Sequence, residues 1–181
     1  MKAVRLINLD HDAVQALLTD LKGFEQRHHV IFNGTEKTVK LISLSTKETL
    51  DSRKIDPQWW VYLGVDDGTG EVVGTCAFQG EPQQGVVEIE YLTFPQFLGE
   101  GYAVAMADAL VRIAKGSSQV RRVVAHTLPQ PNASSWILER IGMRFVGKEP
   151  DPSDGWVWRW ELDLAVPPAR AELVSQSATD V

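Results

Sequence analysis

The chain has one cysteine, Cys76, in 181 residues, which excludes an intrachain disulfide and a zinc site built on thiolates. A chain without disulfides suits a reducing compartment, and the expectation is a cytoplasmic protein. Positive charge is also scarce. Eighteen Lys and Arg face 24 Asp and Glu, for a formal net charge of −6 and a pI near 5.2. This argues against nucleic acid or an anionic membrane surface as the partner, since both require clustered Lys and Arg, and suits a cationic or amine-bearing one. Apolar runs are short: no segment reaches the roughly 18 apolar residues of a membrane span. Met1 to Leu9 alternates polar and apolar residues instead of forming a secretion signal, so a soluble, untargeted protein is expected. The adjacent His28 and His29 point to different faces of any regular element and lack the i, i+4 spacing of helical ligands, so no metal is expected. No P-loop or nucleophile elbow is present.

What the chain does have is 44% hydrophobic residues, enough for the core of one domain over residues 1–164. Residues 165–181, richer in Pro, Ala and Ser, are expected to form a flexible tail. Val4 to Asn8 reads as a strand, followed by a helix capped by Asp10 or Asp12 and carrying Val14, Leu17, Leu18 and Leu21. Thr46 to Arg53 looks helical. Trp59 to Val65 and Glu71 to Gln79 form a hairpin around Asp66–Gly70, and a second turn leads into Val86 to Tyr91. There the period changes. Val87, Ile89 and Tyr91 alternate with Glu88 and Glu90, then Gly99 and Gly101 appear, then the spacing becomes helical up to Gly116, placed just past the helix end. Glycines before a helix N-terminus let backbone amides approach an anion, and the helix dipole favours negative charge there. Val120 to Thr127 follows the helix and should lie parallel to Val86–Tyr91. A short helix capped by Asn132 or Ser134 and two further strands follow, with Trp156, Trp158 and Trp160 on one face.

This element order, with Gln96-x-x-Gly99-x-Gly101 at the turn, resembles the GNAT superfamily of N-acetyltransferases. The likeness extends to Val87-Glu88-Ile89, Gly101-Tyr102-Ala103, Ala125-His126-Thr127-Leu128-Pro129, Asn132-x-x-Ser135, Leu138 to Met143 and Gly155 to Glu161. It covers residues 58–164 well and is most like the branch that acetylates ribosomal-protein N-termini. The resemblance implies an α/β (α+β) fold with a mixed, mostly antiparallel sheet of six or seven strands and helices on both faces. It implies transfer of an acetyl group from acetyl-CoA to a small-molecule amine or peptide N-terminus by direct attack. Leu92 and Thr93 would then pair with the pantetheine arm, and Phe97, Leu98, Gly99, Glu100, Gly101, Tyr102 and Ala103 would wrap the pyrophosphate, with Asn132 and Ser135 nearby. Relatives often carry a cation where this chain has Leu98 and Glu100, which leaves a catalytically weakened CoA-binding or interaction module as the alternative.

Transfer requires a deprotonated amine and a proton for the leaving thiolate. Many relatives use a tyrosine where this chain has Leu138, and the N-terminal-acetylating branch uses the Ser of Asn-x-x-Ser, which is Ser135 here. A first-turn cap is the other role open to that hydroxyl. Glu90 is the first candidate for the base; Glu88 shares its face and could raise its pKa. His126 is a third candidate. The tryptophans could wall an acceptor pocket or pack on the sheet. Exposed strand edges permit a homodimer.

Overall fold

A computed structural model describes residues 2–153 and 155–164; the expected tail lies outside them. Seven strands form one sheet: β1 (Val4–Asn8), β2 (Val61–Asp66), β3 (Val72–Phe78), β4 (Val86–Thr93), β5 (Arg122–Thr127), β6 (Arg144–Asp151) and β7 (Gly155–Asp163). Their order is β1-β2-β3-β4-β5-β7-β6, so β1 and β6 are the edges. Every neighbouring pair is antiparallel except β4 and β5. Among the described residues five α-helices, α1 (His11–Thr19), α2 (Leu21–His28), α3 (Glu36–Arg53), α4 (Tyr102–Gly116) and α5 (Ala133–Arg140), accompany the sheet.

Local chemistry explains where the helices depart from the sequence expectation. Asp10 caps α1 by accepting the Ala13 amide, at 2.8 Å. Asp20 then accepts the Gly23 amide at 3.0 Å and starts α2, so Leu21 belongs to a second helix rather than to the first. His28 ends α2 half-buried, its ring 4.2 Å from that of Phe24. Helix α3 begins ten residues before Thr46, at Glu36. Its apolar stripe is blurred because Ser43 is buried, its hydroxyl donating to the Val39 carbonyl, while Leu41 and Leu44 are exposed. Gly116 remains helical, and Ser117 caps α4 instead.

Two glycines position α4 against the sheet. Gly64 and Gly74 are register partners across β2 and β3, and Met106 fills the space they leave. A Cβ on Gly64 would sit 2.3 Å from Met106 Sδ. On the opposite face, Ile42 and Thr46 of α3 line a cavity with Thr75 and Leu92.

Beyond Glu88 the sheet opens. Strand β4 pairs with β5 only from Val86 to Glu88, while its later residues stay on β3 and those of β5 continue on β7. The divergence leaves one edge of β4 without a strand partner from Ile89 onward. Farther along, Trp160 is buried and donates from Nε1 to Thr127 Oγ1, at 3.1 Å, and Phe145 packs 5.1 Å from Trp158 and 5.7 Å from Trp160. Trp59 packs edge-on against Phe78. These three indoles serve packing.

Candidate active site

The glycine turn opens a cleft of about 430 Å³ between the start of α4 and α5. Gly99 and Gly101 adopt φ of +79° and +90°, a left-handed conformation in which glycine has no steric cost. No side chain caps α4, whose first amides point toward the turn. Thr93, Phe97, Leu98, Gly99, Glu100, Gly101, Tyr102 and Ala103 all line this cleft. Leu92 does not: it lies with Thr75 on the α3 side. Asn132 and Ser135 also lie off this cleft, in the capping box of α5. The Asn132 Oδ1 accepts the Ser135 amide at 3.0 Å, while the Ser135 hydroxyl accepts the Asn132 amide at 3.0 Å and donates to the Asn132 carbonyl at 2.8 Å. Thr93 Oγ1 is buried without a partner, the kind of orphan a bound molecule satisfies.

Three lining residues carried no signal in the sequence. Lys2 reaches the turn and pairs with the half-exposed Glu100 at 3.2 Å, so a cation compensates that carboxylate. Arg140 lies 5.3 Å over the ring of Trp136, and both line the far wall. Their positions depend on how α5 and β1 approach α4, which no local spacing encodes.

On the other side, two cavities of about 460 and 480 Å³ share Glu90 and Tyr91 as a common wall. One also takes in Glu88, His126 and Ser134; the other takes in Trp60 and α3 residues. Trp60 Nε1 is buried with no partner, and its indole lines the second of these cavities. The Gln79 side-chain amide donates to Glu90. Partial desolvation by the surrounding protein raises the Glu90 pKa, the Gln79 bond lowers it and the Glu88 charge raises it, with a net rise.

Glu88 and His126 are committed to each other. His126 Nδ1 is 2.7 Å from Glu88 and Nε2 is 2.7 Å from Glu149. Arg159 joins Glu149 to Glu161, at 3.3 and 2.9 Å. The Glu88 contact above all raises the His126 pKa, which favours the protonated ring, and both ring nitrogens are already taken by carboxylates. Glu90 faces both cavities, and Asp151 also lines the one that holds Glu88 and His126. Tyr91, from the same strand, reaches across the opening and donates to the Ser134 carbonyl at 3.3 Å. Burial pushes its pKa up to about 12, so its hydroxyl keeps its proton.

Comparison with known proteins agrees with this geometry. The profile of the Acetyltransferase (GNAT) domain matches residues 5–144. The chain belongs to the GNAT acetyltransferase family. The uncharacterized protein YkkB of Bacillus subtilis is 31% identical over 87 residues, 47% of this chain; the chain spans about half the length of that curated relative, 51%. Among solved structures, RimL, the ribosomal L7/L12 alpha-N-protein acetyltransferase in complex with coenzyme A, matches with a TM-score of 0.63 at 17% identity, over 92% of this chain and 97% of its own. YncA of Salmonella typhimurium, solved with acetyl-CoA, gives 0.60 at 17% identity over 92% and 97%. The ribosomal-protein-S5-alanine acetyltransferase of Vibrio fischeri gives 0.57 at 15% over 88% and 91%. At these identities the likeness establishes the fold, the open seven-stranded GNAT sheet. Among the described residues no helix is long and apolar enough to cross a membrane.

Proposed function

We propose that the protein is an acetyl-CoA-dependent N-acetyltransferase acting on a primary amine, with Glu90 as its general base. The observation that carries this reading is the position of Glu90 on the wall shared by two cavities, at the level where β4 and β5 have parted. The residues of the α4 cleft fit the proposed co-substrate. The turn from Phe97 to Ala103 offers backbone donors to a pyrophosphate, and the open edge of β4 with the orphaned Thr93 hydroxyl offers polar groups to a pantetheine arm. Bound acetyl-CoA supplies the thioester that the amine attacks.

Glu90 accepts the proton that the amine must lose. Glu88 acts on Glu90 through its charge and is itself held by His126. The departing thiolate takes a proton from a hydroxyl at the start of α5. Ser135 and Tyr91 are candidates, and Tyr91 is the freer donor: its contact with the Ser134 carbonyl is long, at 3.3 Å, whereas the Ser135 hydroxyl both donates and accepts at the Asn132 backbone. The polar cavity around Glu90 suits a small amine or a peptide N-terminus as acceptor, and a cytoplasmic setting fits such substrates.

The test is thiol release from acetyl-CoA over a panel of small amines and N-terminal peptides, with the Glu90→Gln variant alongside. Turnover that depends on Glu90 supports the reading. Thermal stabilisation by CoA with no turnover for any acceptor would point instead to a CoA-binding module that has lost catalysis.

A further inference from the structure

Lys2 lies just before β1, yet its side chain belongs to the glycine turn. Its Nζ donates to Tyr102 Oη at 2.8 Å and lies 3.2 Å from Glu100 Oε2 and 4.0 Å from Asp66 Oδ2. The same ammonium sits 4.5 Å from the centre of the Tyr102 ring. Tyr102 Oη in turn donates to Asp66 Oδ2 at 2.7 Å. Asp66 is buried, and its other oxygen caps the β2–β3 turn through the amides of Gly68 and Thr69, each at 2.8 Å. A fixed carboxylate therefore orients a phenol, and the phenol orients the ammonium on the wall of the cleft lined by Gly99 to Ala103. Glu100 is different: its side chain is 46% exposed and is free to turn away.

The turn from Phe97 to Ala103 carries no Lys or Arg, and the other cation on this cleft, Arg140, lies over Trp136 on the far wall. An uncompensated Glu100 would repel phosphates from a few ångströms away. We propose that Lys2 is the cation that binds the pyrophosphate of the co-substrate, held in place by Asp66 and Tyr102, and that Glu100 is the counter-ion the pyrophosphate displaces. The inference rests on the acetyl-CoA reading of the cleft. An ammonium is a compact point charge with rotatable donors, suited to exchange one oxyanion for another without rebuilding the site.

Equilibrium binding tests it, using calorimetry with CoA and with dephospho-CoA, which keeps the pyrophosphate and lacks the 3′-phosphate. The proteins are wild type, Lys2→Ala, Lys2→Arg, Glu100→Gln and the Lys2→Ala/Glu100→Gln pair, all with any tag at the C-terminus. The proposal expects Lys2→Ala to weaken both ligands by about tenfold or more, the loss of one charge-assisted contact. It expects Lys2→Arg to keep most of the affinity, Glu100→Gln to bind no more weakly than wild type, and the double variant to recover part of the loss. The dependence of affinity on salt should also flatten in Lys2→Ala. Unchanged affinity in a folded Lys2→Ala, or a loss seen with CoA but not with dephospho-CoA, would overturn it. If wild type binds neither ligand, it is the acetyl-CoA reading itself that fails.

Discussion

His126 Nδ1 lies 2.7 Å from Glu88 Oε1, joining β5 to β4 at the end of their parallel pairing. With Glu149 on its other nitrogen, the ring is flanked by two carboxylates, and its folded pKa is raised. In the unfolded chain it titrates near the ordinary value of about 6.5. Stabilisation from the charged ring is therefore fully present below that value and is lost as pH rises through the folded pKa. Melting temperatures of wild type should fall as pH rises above about 6.5, and His126→Gln should flatten the fall. Parallel curves for the two proteins would contradict this arrangement.

Glu90 predicts a pH profile. Its pKa is raised, by desolvation first and by Glu88 to a lesser degree, and transfer needs its ionised form. The acid limb of kcat/KM should therefore lie above the range of an ordinary carboxylate, and activity should be lost as pH falls through it. Replacing Glu88 with Gln should move that limb to lower pH, because the neighbouring charge is removed. An acid limb that stays in place in Glu88→Gln would show that the two carboxylates do not interact.

The two hydroxyls near α5 should separate by readout. Ser135→Ala loses the two bonds its hydroxyl makes to the Asn132 backbone, while the bond from the Ser135 amide to Asn132 Oδ1 stays, and should cost about 1 kcal/mol in stability. Tyr91→Phe keeps the ring and removes the free proton donor, so it should lower kcat by roughly 100-fold with little change in CoA affinity. A larger fall in kcat for Ser135→Ala than for Tyr91→Phe would reverse the assignment.

Gly64 tests the packing of α4. An added methyl there would lie 2.3 Å from Met106 Sδ, so Gly64→Ala should destabilise by about 1–3 kcal/mol in a denaturant titration. Shortening Met106 to Ala in the same chain opens the space the methyl needs, so the pair should lose less than the sum of the two single variants. Simple additivity would mean that the methyl is accommodated elsewhere.

The strand-to-helix change around Gly99 and Gly101 was legible because a period of two gives way to one of 3.6 across residues with special backbone angles. The start of α5 was less sharply readable: its cap stayed open between Asn132 and Ser134, and the Asn132-x-x-Ser135 spacing could not say whether the serine hydroxyl was free. The first ten residues of α3 were hidden because Ser43 sits on its buried side while Leu41 and Leu44 face outward. Lys2, Arg140 and the Tyr91 hydroxyl were missed for a different reason. Each reaches its position across tertiary contacts, from a neighbouring strand or helix. The pairing of His126 with Glu88 was hidden in the same way, since it depends on the register of two strands whose sequences are 38 residues apart.

The central claim is amine acetylation with Glu90 as base, and the most direct measurement compares thiol release from acetyl-CoA by wild type and Glu90→Gln on the best acceptor of the panel. The account predicts that Glu90→Gln binds CoA as wild type does and turns over roughly 100-fold more slowly or worse, without the acid limb. Equal turnover by the two proteins, with the same pH profile, would contradict it.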